Sequence, residues 1–261
     1  DDHYVTVENG KVTGIDIGSK DKTPALLEKL PKLSTLVSLT MNDMNLNDED
    51  LDHIQSLTNL EMLELYGNNL TGASLDRLSG MQKLTHLDLD DNPVTDDGLQ
   101  HIGNLSNLVT LYLSSTEVTD AGIAKLQGHA KLEDLYLDDN KLTDAAMDHI
   151  AGLPNLEILH VARTEVTDAG IEKLRGHAEL NELYLDGNLL TDACVPHLKT
   201  MPKLDDLSLT GADVTDESVP TLASMRKLVF LYVDDTHITE DGVRQLKAAL
   251  RDCDITTDYD E

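Results

Sequence analysis

Four histidines, His53, His101, His149 and His197, follow one another at intervals of 48 residues. Imidazole moves protons near neutral pH and binds transition metals, so such a series invites a chemical reading. Other candidates stand beside it. Asp88-x-Asp90-x-Asn92 opens like a calcium loop, and Thr-Asp pairs return at Thr95-Asp96, Thr119-Asp120, Thr143-Asp144, Thr167-Asp168, Thr191-Asp192 and Thr215-Asp216 as if to form an acid–base array. Two cysteines, Cys194 and Cys253, could hold a metal or a bridge. Each reading depends on how the chain places these groups.

The chain places them with a period of 24 residues, starting at Val12, Leu36, Leu60, Leu84, Leu108, Leu132, Leu156, Leu180, Leu204 and Leu228. A fixed period in this range means a stack of units, each burying its apolar face on its neighbours. The first half of a unit is L-x-x-L-x-L-x-x-N/T-x-L/V, as at Leu132, Leu135, Leu137 and Leu142. The central L-x-L alternates with period two and predicts a very short strand, leucines inward and the residues between them outward. Position nine is Asn68, Asn92, Asn140 or Asn188 in four units and Thr116, Thr164 or Thr236 in three others. A short polar side chain there can hydrogen-bond backbone that the strand ladder leaves free. The second half carries apolar residues at helical spacing, such as Ile123 and Leu126, behind a Thr-Asp pair that reads as a helix start.

Stacking removes most of the chemistry. Strands lie about 4.8 Å apart, so residues two units apart are separated by roughly 10 Å or more, whereas zinc holds each ligand nitrogen near about 2.1 Å. The histidine series therefore records a two-unit duplication. His129 and His177 fall where other units have Leu or Met, and each is expected as a buried neutral ring with one satisfied hydrogen bond. The calcium-like segment has Pro93 where an EF-hand needs Gly and Leu99 where it needs a bidentate Glu. Only a weak surface calcium site at Asp90-Asp91 is left open. Two cysteines are too few for a disulfide framework, and separate buried thiols are expected. Repeated carboxylates share equivalent surroundings, while catalysis needs an acid and a base whose pKa values are pushed apart. The expectation is no catalytic residue, no metal site, no cofactor and no enzyme.

Ten units at this spacing resemble the leucine-rich repeat family, in the bacterial form whose units carry L/V-T-D-x-x-L after the strand, over roughly residues 12 to 255. The resemblance implies an α/β fold: a curved, right-handed solenoid with a parallel sheet on the concave face and short helices on the convex face. Unit one departs from the pattern with Lys22-Thr23-Pro24, so its convex side is expected to be irregular. The unit starting at Leu204 has Ala212 at the Asn position, which weakens one rung. A single domain is expected over 1–261: an N-terminal cap strand in 1–11, ten repeats in 12–251, and a half-unit with a tail in 252–261. Asn9-Gly10 between two alternating segments predicts a hairpin. Cys253-x-Ile255 predicts the closing half-unit, and Thr256 to Glu261 is expected to be a loosely held polar tail.

Charge is the second signal. The net charge is −29, with 49 acidic against 20 basic side chains. That opposes a sequence-independent grip on phosphate backbones and on anionic membrane surfaces. It keeps an elongated chain soluble and monomeric, and it suits a basic partner. No apolar run of about 18 residues could span a membrane. The compartment stays open, with a secreted or cell-envelope setting favoured over the cytoplasm.

The few aromatics are concentrated. Of seven tyrosines and one phenylalanine, Tyr112, Tyr136, Tyr184 and Tyr232 occupy the outward residue between the two strand leucines, where the unit starting at Leu156 has His160. Phe230 lies two positions before Tyr232, and Tyr66 lies just past the strand of the unit starting at Leu60. Acids flank the row, among them Asp138, Asp186 and Asp234. A tyrosine ladder that only stiffens the sheet would have to run through His160 and Ser208, which interrupt it. The expected function is therefore an interaction scaffold that binds a protein or peptide, basic in character, on the concave face through Tyr66, Tyr112, Tyr136, His160, Tyr184, Phe230, Tyr232, Asp138, Asp186 and Asp234. The resemblance agrees, since leucine-rich repeats mostly recognise proteins. The alternatives are a carbohydrate or small-ligand binder, with tyrosines stacked on sugar faces, and an architectural module of a larger envelope or secreted protein.

Overall fold

A computed structural model of the protein describes residues 4–17 and 24–259. The chain forms two compact units, Asp1–Leu135 and Tyr136–Glu261. In the first, β1 (Tyr4–Glu8) and β2 (Lys11–Asp16) make an antiparallel hairpin. Asn9 and Gly10 turn it with φ of 51° and 74°, the left-handed pair whose twist suits a two-residue hairpin. β2 then pairs parallel with β3 (Ser38–Thr40), which continues through β4 (Met62–Glu64), β5 (His86–Asp88) and β6 (Thr110–Tyr112). Each step is one period, Leu39 on Leu63 on Leu87 on Leu111. The second unit repeats this with β8 (Ile158–His160), β9 (Glu182–Tyr184), β10 (Asp206–Ser208), β11 (Phe230–Tyr232) and β12 (Asp254–Thr256). β7 (Asp134–Tyr136) lies where the chain passes from one unit to the next.

Three-residue strands follow from the L-x-L pattern. Leu135, Leu159, Leu183 and Leu207 are fully buried at 0 % exposure, and so are the helical-side residues Leu99, Ile102, Ile150 and Ile171. Fully burying one such side chain stabilises the fold by about 1.5–3 kcal/mol. The helical segments are short because each need only turn the chain and cover its own rung. They include α1 (Pro24–Leu27), α2 (Asp96–Ile102), α3 (Asp120–Ile123), α4 (Asp144–Ile150), α5 (Asp168–Lys173), α6 (Val195–Leu198), α7 (Val219–Leu222) and α8 (Glu240–Ala249), with 3-10 turns such as Asp48–His53 elsewhere. The departure at Lys22-Thr23 falls outside the described residues.

Position nine is an internal ladder. Asn188 donates its amide to Val161 O at 2.7 Å and Leu185 O at 3.0 Å, and its Oδ1 accepts from Thr164 N at 3.0 Å and Thr164 Oγ1 at 2.7 Å. Asn68 and Asn92 repeat the pattern in the first unit. One side chain thus satisfies backbone groups on two rungs that no strand or helix reaches.

The Thr-Asp pair does more than start a helix. The threonine caps its own helix, as Thr167 Oγ1 does for Ala169 N at 3.2 Å. The aspartate looks instead to the following repeat, where Asp144 accepts from Thr167 N at 2.8 Å and Thr167 Oγ1 at 2.7 Å. Asp48, Asp96, Asp168, Asp192 and Asp216 bind Thr71, Thr119, Thr191, Thr215 and Thr239 in the same way. A carboxylate that accepts from both the amide and the hydroxyl of a neighbour is a lateral staple, and the purely local capping expected for it is corrected here. The repeat starting at Leu60 reads Thr71-Gly72, and there Thr95 N turns to Thr71 O at 3.1 Å.

The far end also departs from expectation. Residues after Thr256 are not a loose tail as far as Tyr259. Thr256 pairs in β12, Thr257 is buried, Asp258 accepts from Asp235 N, and the Tyr259 hydroxyl donates to Ile238 O at 3.4 Å. Cys194 is buried as expected, whereas Cys253 is half-buried, and both thiols are free.

Candidate binding surface

The outward residues of successive strands align in two rows. In the second unit one row is His160, Tyr184, Ser208, Tyr232 and Thr256, and the other is Ile158, Glu182, Asp206, Phe230 and Asp254. In the first unit the rows are Asp16, Thr40, Glu64, Asp88 and Tyr112, and Gly14, Ser38, Met62, His86 and Thr110. Among the described residues, β3 to β12 contain no lysine or arginine, while Glu64, Asp88, Asp134, Glu182, Asp206 and Asp254 lie on them. Charge is segregated: the strand face is acidic.

The aromatics of the second unit touch one another. Tyr136 meets His160 edge-on at 4.6 Å, His160 stacks on Tyr184 at 4.3 Å and 20°, and Tyr184 leans to Tyr232 at 5.8 Å. His160 therefore continues the ladder rather than breaking it. The gap at Ser208 is closed as well, because the two tyrosines flanking it lean together over a serine that is only 2 % exposed. The Ser208 hydroxyl donates to Asp186. Register could place these rings in a row, but not foretell that a small residue would let its neighbours close. Burial, then the hydrogen bond with Tyr232, hold the Tyr184 phenol well above its ordinary pKa.

His160 also meets the neighbouring acids, its Nε2 lying 2.8 Å from Glu182 Oε1 and its Nδ1 3.8 Å from Asp138 Oδ2. Asp138 and Asp186, expected as free flanks, give part of their acceptor capacity to the fold: Asp138 accepts from Ala162 N at 2.6 Å and Asp186 from Ser208. Burial raises the Asp138 pKa, against the pull of the Ala162 amide and His160. Asp234 follows β11 at the equivalent position and is half-buried. Arg163 reaches Asp139 in a bidentate pair, Nε at 2.7 Å and Nη2 at 2.6 Å.

Two strand carboxyls stand out. Asp206 is pushed up to about 6 by burial and then by Glu182 on the adjacent strand, and its Oδ1 is buried without a hydrogen-bond partner. Asp88 is likewise pushed up to about 6, by burial and then, against a bond from Asp90 N, by Glu64. Tyr112 lies beside Asp88 and is half-buried. Tyr66 is 37 % exposed, and its hydrogen bond to Asp91 raises its pKa. Phe230 is 40 % exposed, the chain's one phenylalanine. Beside it stands Val229, 44 % exposed, which the sequence reading passed over although it breaks the polar run at its position.

The metal-like groups do not converge. Asn92 uses its amide on backbone oxygens and its carbonyl on Leu70 N. Asp88 and Asp90 accept from backbone amides. Among the described residues no three His, Cys, Asp or Glu side chains are grouped to hold a metal ion. His129 faces two carbonyl oxygens, Leu126 O at 3.0 Å and Ile102 O at 3.3 Å, where a neutral ring donates to one.

The leucine rich repeat family profile matches residues 27–94 and 106–166, a little under half of the chain. No curated protein matches it in sequence. Solved structures with a similar fold include an internalin from Listeria monocytogenes, 22 % identical with a TM-score of 0.65 over 90 % of this chain and 77 % of that one. A leucine-rich repeat protein of Leptospira interrogans is 22 % identical with a TM-score of 0.64, over 87 % of this chain and 56 % of that one. The ectodomain of a plant membrane receptor kinase from Arabidopsis thaliana, in complex with Casparian strip integrity factor 2, is 20 % identical with a TM-score of 0.55, over 90 % of this chain and 31 % of that one. At these identities the likeness is one of fold. Folds of this family generally mediate protein–protein interaction and are typically binding scaffolds without enzymatic activity. With one strand per 24-residue repeat, and with the family profile matching on both sides of residue 100, the chain is an α/β leucine-rich repeat protein.

Proposed function

We propose that the protein is a non-enzymatic, monomeric scaffold that binds a basic protein or peptide on its strand face, with no nucleic-acid or membrane partner. The observation that carries this reading is the segregation of charge. Six carboxylates lie on β3 to β12 without a lysine or arginine among the described residues, and the nearby Arg163 is already engaged by Asp139. A surface of one sign steers and selects a partner of the other. The receptor ectodomain with a similar fold is seen in complex with Casparian strip integrity factor 2, in keeping with a scaffold role. The aromatic rows supply rigid apolar area between the charges, the residue types favoured at interface centres.

The test is direct binding by calorimetry of the full chain to arginine–glycine peptides and to glutamate–glycine peptides of equal length. The basic peptide should bind and weaken about tenfold or more as salt rises to about 0.5 M, because screening shortens the reach of exposed charges. Glu64→Gln, Asp88→Asn, Glu182→Gln, Asp206→Asn and Asp254→Asn together should abolish it. Equal binding of both peptides, or indifference to salt and to these substitutions, would refute the reading and turn attention to neutral ligands such as sugars.

A further inference from the structure

The last full repeat breaks the polar habit of the strand face. At the place of Val229 the preceding repeats of the second unit have Glu157, Asn181 and Asp205, and at the place of Phe230 the two preceding repeats have Glu182 and Asp206. Val229 and Phe230 are consecutive, large, apolar and 44 % and 40 % exposed. Phe230 sits in register between Asp206 on one side and Asp254 on the other. The remaining rings of this unit are turned toward each other: His160 and Tyr184 cover one another's faces, and Tyr184 and Tyr232 close over Ser208. Apolar area on the strands of this unit that is still free for a partner is therefore concentrated at this step, rimmed by carboxylates.

We propose that the Val229–Phe230 step is the contact centre of the binding face, and that its occupant is a segment that lays an apolar side chain on Phe230 while an adjacent arginine or lysine meets Asp206 and Asp254. This rests on the reading of the strand face as a surface for basic proteins. Charge complementarity names the occupant. Glu182 and Asp206 are like charges on adjacent strands, and Asp206 keeps an oxygen buried without a donor. A cation placed beside them relieves the repulsion. An exposed phenylalanine gains most from a partner that also removes it from water, so an apolar centre with a charged rim prefers a mixed sequence to a purely basic one.

Fluorescence anisotropy of the full chain with three labelled peptides tests this: arginine alternating with leucine, arginine with glycine, and glutamate with leucine. The arginine–leucine peptide should bind about tenfold or more tighter than arginine–glycine, as expected when an anchor is a hot spot. Phe230→Ser should bring the two together, while Leu189→Ser, at an exposed leucine outside the strands, should change nothing. In the unsubstituted chain the Val229 methyl resonances should shift on titration ahead of those of Val109, which keeps the test independent of how any variant folds. If arginine–leucine and arginine–glycine bind alike, or Val229 does not respond, this placement is wrong and the acidic-face reading survives. Binding of glutamate–leucine at equal strength overturns the charge requirement. If neither basic peptide binds, both readings fall.

Discussion

A carboxyl on the strand face meets two costs at once, lost water and a neighbour of its own sign, and Asp206 and Asp88 show both. Their folded pKa of about 6 lies above the ordinary 3.8, so the folded state holds the proton more tightly than the unfolded one. Stability from this source is fully present below 3.8 and is lost as pH rises through about 6. Asp206→Asn and Asp88→Asn should therefore melt higher than the parent at pH 7.5, with the advantage gone near pH 4. Melting curves at those two pH values check it, and a constant difference would mean that the carboxyls are not perturbed in this way. Asn188 makes the opposite case, a polar group fully used. Its loss would leave Thr164 N and Leu185 O without partners, while Val161 O keeps the Thr164 hydroxyl, so Asn188→Ala should cost about 1–3 kcal/mol in urea denaturation. A change below about 0.5 kcal/mol would show that water replaces the side chain at no cost.

Repeats are joined by an arrangement that their sequence only half displays. The 24-residue spacing, the inward leucines, the Asn9-Gly10 hairpin and the closing half-unit at Ile255 could all be read directly, since each depends on local alternation or on period. The destination of the aspartate could not be read by a capping rule, because its partner lies 23 residues away. A signal for it does exist two residues after the Thr-Asp pair, where small residues recur. A Cβ at Gly170 would lie 2.5 Å from Asp144 Oδ1 and 2.9 Å from Val166 Cγ1, and one at Gly122 would lie 2.4 Å from Asp96 Oδ1. Where that position is serine, as at Ser218, the hydroxyl donates to Asp192 instead. Ring orientation on the strand face was equally out of reach, because register fixes where a side chain starts and packing decides where it leans. Gly170→Ala should then destabilise by about 1–3 kcal/mol through overpacking. Gly170→Ser should cost less, its added hydroxyl gaining a hydrogen bond to Asp144. If alanine proves as mild as serine, the staple is looser than its geometry indicates.

At the scale of the molecule, a charge of −29 acts beyond any one contact. Exposed charges are screened over about 8 Å at physiological ionic strength, so the field is felt mainly by a partner still approaching. Short-range contacts at the strand face act after arrival, when water is being expelled. These two contributions fall on different rate constants. For the arginine–leucine peptide, raising salt from about 0.05 to about 0.5 M should slow association roughly tenfold or more, with dissociation changing by less than about threefold. Phe230→Ser should do the reverse, speeding dissociation and leaving association nearly untouched. Lowering the pH through about 6 should weaken binding further, as Asp88 and Asp206 take up protons. Stopped-flow measurements across salt and pH separate the two contributions. If salt acts only on dissociation, the acids serve as local contacts rather than as a steering field. If neither rate responds to salt, the excess of carboxylates serves solubility alone, and recognition rests on uncharged groups.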